Sequence, residues 1–334
     1  MDLNTLLKHT SRSLYLSAKM LPRSMRPAFG LAYLLCRYAD TIADTQLLPL
    51  EKRLYWVQKF PALVRMQDTT QQEILTRDLT SSSENPYEKA LITHLNDCLR
   101  ALAQIPAEQQ PFIYEVVQAV CDGMHMDLTS FANACAQAPV SFEKISHLTQ
   151  YCRLMGGKPG LFWSQLIAHT CQVKLARERF YELGQQVGDA LQIVNVLRDL
   201  PKDLQIGRCY FPKEQLTSCK LTPPMLLDAA TSVRFEPIKK YWLHWGKENL
   251  SHAVDYYRAI AKTSLRTRAA VAWPILWTAD TFNKLAASTA LLDVTRRVKI
   301  SRTRVYLTML VTPALLISNR LFGAWLNHKL KTLP

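Results

Sequence analysis

The stretch VNVLRDLPKDLQIGRCYFP, Val194 to Pro212, opens as the end of an apolar helix and then places Asp199 and Asp203 four residues apart. On a helix that spacing puts both carboxylates on one face, one turn apart, where like charges weaken an isolated helix. Taken alone, the segment reads as a solvated helix end with Arg198, Lys202 and Arg208 as counter-charges. A second stretch changes the weighing. CRYADTIAD (36–44) repeats the spacing with Asp40 and Asp44, again at the end of an apolar helix and again with an arginine, Arg37, just upstream.

Two such faces turned toward each other in a helical bundle would form a ring of oxygen ligands. Mg²⁺ suits that ring, because it keeps water and phosphate oxygens beside one or two carboxylates. The chemistry this favours is ionisation of a diphosphate, in which the metal and guanidinium groups neutralise charge growing on the leaving pyrophosphate. Arg37, Arg198 and Arg208 fit that role, since a planar guanidinium meets phosphate oxygens in pairs.

Outward from these motifs the period is helical almost everywhere. Residues 27–46, 86–104, 108–133, 144–172, 175–205, 222–231, 236–261, 266–288 and 301–328 are predicted as helices. Breaks are predicted at TTQQE (69–73), SSSENP (81–86), QIPAEQQP (104–111), QAPVS (137–141) and LTPP (221–224), where Pro, Ser and Asn cluster. No break is long enough for a clear linker and no repeat is seen, so the expectation is one all-α domain spanning 1–334.

The chain has 334 residues, of which 48% are hydrophobic and only 10 are glycine, enough for a large core. A net charge of +14 suits a polyanion, an anionic membrane surface or a phosphorylated substrate. Nucleic acid ranks last, because the bases are scattered and no recognition module accompanies them. Eight cysteines never form CxxC and several lie in apolar runs, which predicts buried, reduced thiols and a cytoplasmic protein. The first residues, MDLNTLLKHTSRS, lack the plan of a signal peptide. VYLTMLVTPALLIS (305–318) is too short to span a bilayer. It reads either as a packed last helix or as an interfacial one, placing the protein peripherally on the inner face of the membrane.

As an ordered set, the motifs resemble the squalene/phytoene synthase family of head-to-head prenyl transferases. The two aspartate motifs resemble its paired aspartate-rich segments. SRSLYLSAKMLP (11–22) resembles its SxSFYxAxxLLP segment, VCDGMHMDL (120–128) its GMxxD helix and YCRLMGGKPG (151–160) its YCxxVAGxVG. The likeness runs from about residue 9 to about residue 320. It implies a helical isoprenoid-synthase bundle around a central apolar tunnel, with prenyl diphosphate as substrate and a monomer favoured. It also implies that Asp40, Asp44, Asp199, Asp203 and Asn195 hold Mg²⁺. Ser11, Arg12, Ser13, Arg37, Gln192, Arg198 and Arg208 would contact diphosphate, with Tyr33 lining the site and Tyr151 steering the cation and assisting proton removal. Without the resemblance, both tyrosines would read as ordinary half-buried residues. The departure is MGGKPG, where Lys158 and Pro159 replace a small or apolar residue and a valine, and where a break in the helix is expected.

RRVKISRTRVYLTML (296–310) and LRTRAAVAWPILWTADTF (265–282) resemble segments of squalene synthases. They imply NADPH, with its phosphate met by Lys299, Arg302 and Arg304. The plain alternative for this basic run is a solvated helix start or a membrane-facing patch. The reaction implied is condensation of two farnesyl diphosphates through presqualene diphosphate, then reduction to squalene. Phytoene, dehydrosqualene or hydroxysqualene synthesis, without hydride, is the alternative. A catalytically lapsed member that binds prenyl lipid is another.

Overall fold

The structure, a computed structural model, describes residues 3–45, 48–80 and 86–331, with the side chains of residues 3, 4, 9, 11–14 and 86–88 outside that description. The chain divides into two compact units, one of Met1–Thr129 with Phe162–Thr170 and the other of Ser130–Leu161 with Cys171–Pro334.

In the first unit, α1 (Leu3–Met20) lies against α2 (Arg26–Asp44), which also meets α3 (Leu50–Met66) and α6 (Leu95–Ala103). Helix α2 carries Pro27 in its first turn, where the missing N–H costs nothing. It buries Leu31, Leu34, Leu35, Tyr38 and Ile42, and Tyr38 stacks on Phe60 of α3 at 5.2 Å. This apolar stripe leaves the other side of the helix for Arg37, Asp40 and Asp44. Helices α4 (Thr69–Thr80), α5 (Pro86–Thr93) and α7 (Gln110–Ser130) complete the described part of this unit together with the last residues of α9 (Lys158–Thr170).

Sequence reading missed α1, α3 and α4. TTQQE begins a helix rather than breaking one, because Asp68 caps it: its Oδ1 accepts from the Gln71 N–H at 3.0 Å. The expected helix 86–104 is two, parted at His94.

The second unit is organised on α10 (Arg177–Gln205), which packs against α12 (Ser232–Ser251), α13 (Ala253–Ala259), α14 (Leu265–Ala287) and the segment after α8 (Ile145–Cys152). That segment, Arg153–Gly157, is a π-helical turn leading into α9. The expected break at MGGKPG is therefore a widened turn. The Lys158 N–H reaches back to the Arg153 carbonyl, five residues away, so the missing N–H of Pro159 falls where the ladder has already shifted. Glycines on both sides make the crossing possible. A Cβ on Gly156 would lie 2.3 Å from the Gly188 carbonyl oxygen, and one on Gly160 would lie 2.2 Å from that of Gly184.

Residues 222–231 form two 3₁₀ turns, Pro223–Leu227 and Ala229–Thr231, not the expected helix, since Pro223 and Pro224 lack the N–H groups that an α-helix would use. The expected helix 236–261 is α12 followed by α13, and 301–328 divides into α15 (Arg302–Ile317) and α16 (Asn319–Lys331) at Ser318. Pro313 lies inside α15 without ending it. Short strands β1 (Val140–Ser141) and β2 (Arg208–Cys209) pair in parallel, and α11 (Lys213–Ser218) follows. All eight cysteines are free.

Candidate functional site

The first aspartate pair sits at the C-terminal end of α2. The Arg37 Nη1 donates to Asp40 Oδ2 at 3.0 Å, and both side chains are about one-third exposed. Burial pushes the Asp40 carboxyl up to about 6; Arg37 opposes this, and repulsion from Asp44 and Asp127 adds to it. Asp127 comes from α7 and is 2% exposed. Asp40 is thus repelled by two further carboxylates, and carboxylate oxygens are the donor type that Mg²⁺ prefers. Asp127 was not singled out from sequence, though it is the second of the two acids of VCDGMHMDL and the one that falls on the GMxxD pattern. The Tyr33 hydroxyl donates to the Thr10 carbonyl at 2.8 Å, tying α2 to the SRS-bearing helix. The side chains of Ser11, Arg12 and Ser13 lie outside the described residues.

The second pair lies on α10. Asp199 accepts from Arg198, whose Nε is at 3.0 Å, and from Arg297 Nη2 at 3.3 Å. Partial burial works to raise the Asp199 carboxyl, but the charges and hydrogen bonds of Arg198 and Arg297 outweigh it, leaving it below the usual carboxylate range. One turn away Asp203 is half-buried, and one turn earlier Asn195 Nδ2 faces Gln192 Oε1 at 3.5 Å. Gln192, Asn195, Asp199 and Asp203 therefore form one polar edge of α10, beside the buried Ile193, Val196, Leu197 and Leu200. Arg297 belongs to the basic run RRVKISRTR but lies 98 residues from Asp199 in sequence, and no local pattern joins them.

Arg208 is presented by β2. Gly207 before it has φ +86°, and a Cβ there would meet the Cys135 backbone nitrogen at 2.5 Å, so only glycine makes this turn. The Val140 N–H donates to the Gly207 carbonyl at 2.9 Å and holds the strand in place. Tyr151 is buried and stacks on Tyr210 at 4.7 Å, in a cluster with Phe131 and Phe142. Tyr210, within the motif GRCYFP, was likewise not anticipated.

Two further clusters belong to the same unit. Arg153 of the π-turn pairs with Asp189 Oδ2 at 2.7 Å and Gln185 Oε1 at 2.7 Å. Burial raises the Asp189 carboxyl to about 7 against the pull of Arg153. The three bases expected to meet a nucleotide are divided. Arg304 is bidentate on Asp280 (3.0 and 3.1 Å), whose other contact is Lys329, while Lys299 and Arg302 are exposed. Among the described residues no group of three or more His, Cys, Asp or Glu is arranged to hold a metal by itself. None of their helices is long and apolar enough to cross a membrane.

The family model described as squalene/phytoene synthase matches residues 7–304. A bifunctional lycopene cyclase/phytoene synthase of Phaeosphaeria nodorum is 28% identical over 70% of this chain and 37% of its own length. A squalene synthase of Schizosaccharomyces pombe is 26% identical over 63% and 43%, and a presqualene diphosphate synthase of Rhodopseudomonas palustris 27% over 63% and 61%. The chain thus spans roughly two-fifths of the length of the first two. Among solved structures, TcSQS with the ligand E5700 superimposes with a TM-score of 0.79 at 18% identity, covering 99% of this chain and 95% of that one. A dehydrosqualene synthase with ligand gives 0.64 at 17%, covering 94% and 95%. These likenesses show the helical isoprenoid-synthase fold. With the family model matched across almost the whole chain, on the helices that carry both aspartate pairs, the chain belongs to the squalene/phytoene synthase family.

Proposed function

We propose that this chain condenses two prenyl diphosphates head to head, with farnesyl diphosphate as substrate, presqualene diphosphate as intermediate and squalene as product. The observation that carries the reading is the pair of acid-and-arginine helix ends: Arg37 on Asp40, and Arg198 with Arg297 on Asp199. Asp40 and Asp44, with Asp199, Asp203 and Asn195, would hold Mg²⁺, which when bound screens the diphosphate charge and stabilises the leaving group. When substrate arrives, Arg37, Arg198 and Arg208, with Ser11, Arg12, Ser13 and Gln192, turn to its phosphate oxygens. Tyr33 holds α2 in register, and Tyr151, stacked on Tyr210, offers an aromatic face and a hydroxyl to the carbocation.

The hydride step would use NADPH, with Lys299 and Arg302 meeting its phosphate. A second reading ends without hydride, as dehydrosqualene, phytoene or hydroxysqualene. It draws support from Arg304, whose guanidinium already serves Asp280. Incubation with farnesyl diphosphate, Mg²⁺ and NADPH, with products read by mass spectrometry, tests both. Squalene only with NADPH supports the first reading, and a product indifferent to NADPH refutes its reduction step. No product from farnesyl or geranylgeranyl diphosphate refutes the condensation itself.

A further inference from the structure

Helix α10 and the π-turn cross with their backbones touching, and such a contact does not by itself fix how two helices lie. Side-chain ridges set into grooves ordinarily do that. Here glycine faces glycine, and a Cβ on Gly188 would lie 2.1 Å from the Gly156 carbonyl oxygen. Nothing in so smooth a contact stops the turn from sliding along α10 or rolling over it.

One pair of side chains does. Arg153, the first residue of the turn, sends Nη2 to Asp189 Oδ2 at 2.7 Å and Nη1 to Gln185 Oε1 at 2.7 Å. The two acceptors stand one helical turn apart on α10. A guanidinium is a rigid planar fork, so meeting both fixes place and rotation together. The turn then closes over the pair. Asp189 is 1% exposed, and a Cβ on Gly157 would lie 2.4 Å from Asp189 Oδ1 and 2.7 Å from Arg153 Cδ.

The pair is a poor device for stability. Asp189 Oδ1 is buried with no hydrogen-bond partner among the described residues, and burial holds the carboxyl at about 7 in spite of Arg153. Both are costs that an apolar pair of the same size avoids. What the pair supplies is geometry. Gln185 and Asp189 continue the edge of Gln192, Asn195, Asp199 and Asp203 in steps of three and four residues, so all six share one sector of α10. Tyr151 lies two residues before Arg153 and stacks on Tyr210 at 4.7 Å. The pair therefore ties the segment that bears Tyr151 to the side of α10 that bears the acids.

We propose that Arg153 and Asp189 are positioning residues: their pair sets the place of the π-turn on α10 and, through it, the place of Tyr151 relative to the acid-bearing edge. This rests on the proposed condensation, in which Tyr151 faces the cation while other residues hold the diphosphate. Loosening the pair leaves substrate binding alone and slows the chemistry.

Full-length wild type, Asp189→Asn, Arg153→Gln, the double variant and Arg153→Lys are compared with farnesyl diphosphate, Mg²⁺ and NADPH, after circular dichroism has shown each to be folded. Asp189→Asn and Arg153→Gln should each lower kcat about tenfold or more, with KM within about twofold of wild type. The double variant should be no slower than either single one, since the same pair is lost in each. Arg153→Lys keeps a charge for Asp189 without the fork to Gln185, and should fall between Arg153→Gln and wild type. Arg179→Gln breaks the exposed Arg179–Glu182 pair on the same helix and should behave as wild type. Fluorine NMR of protein labelled with 3-fluorotyrosine, with the resonance of position 151 assigned by Tyr151→Phe, reads the placement of that ring without turnover. That resonance should move in Asp189→Asn. An unchanged kcat in Asp189→Asn, a rise in KM alone, additive losses in the double variant or an unmoved resonance overturns the proposal. A wild type that makes no product refutes the condensation itself, and the resonance still decides whether the pair places Tyr151.

Discussion

Replacing Asp280 by alanine should be among the most damaging single changes in the second unit. Its carboxylate lies on α14 at 9% side-chain exposure and receives Arg304 from α15 and Lys329 from α16. Lys329 is 5% exposed, so Asp280→Ala takes the carboxylate away from a buried ammonium group, while Arg304, 40% exposed, keeps water on one side. Removing one partner of a buried pair typically costs about 3–5 kcal/mol, mostly the desolvation of the abandoned charge. The two cations are not equivalent. Lys329→Met leaves Asp280 its bidentate arginine and should cost clearly less, about 1–2 kcal/mol.

The pH dependence gives an independent check. Burial already lowers the Lys329 pKa below the ordinary 10.5, Asp280 opposes that shift, and nearby Arg304 adds to it. Without Asp280 the pKa falls further. The folded state then holds fewer protons than the unfolded one, and the variant's stability rises with pH toward the ordinary lysine pKa. Urea unfolding followed by circular dichroism at about pH 7 and about pH 9.5 should therefore show a deficit that shrinks at the higher pH. A loss under about 1 kcal/mol, or a deficit independent of pH, would show that Lys329 is solvated and refute the reasoning.

Asp40→Asn should abolish Mg²⁺-dependent turnover, by about a hundredfold or more, without destabilising the metal-free protein at neutral pH. The Asp40 carboxyl is raised in the folded state, so its charge costs stability above the carboxylate range, and a thermal melt lower than wild type would contradict this. Gly188→Ala would place a methyl group 2.1 Å from the Gly156 carbonyl oxygen and force α10 off the π-turn. About 1–3 kcal/mol should be lost, together with activity through displaced Tyr151; wild-type stability would mean the helices separate freely. Asp189 is raised to about 7, so wild-type stability should fall as pH climbs from the carboxylate range toward neutrality. Asp189→Asn should flatten that slope, and an unchanged profile in urea unfolding would remove Asp189 as its source.

The fold class was legible because helical period is local: α2, α7, α10 and α14 each announce themselves by apolar spacing along one stretch of chain. Helix α4 escaped because TTQQE looked like a break, although Asp68, which caps the Gln71 N–H, could have been read. The aspartate pairs were legible for the same local reason, since Asp40 with Asp44 and Asp199 with Asp203 are each joined by a single helical turn.

What the chain could not announce are contacts between residues far apart along it. Asp127 beside Asp40, Arg297 on Asp199, and Asp280 clasping Arg304 and Lys329 all join different helices. So does the glycine crossing that turned the odd MGGKPG into a π-turn rather than a break. Sequence by itself determined which residues are acids, where helices run and which motifs they bear, because propensity and period act within a few residues. Tertiary structure alone decided which cations serve which carboxylates and how the π-turn sits on α10. Burial, which raises Asp40 and Asp189, exists only once distant helices have packed.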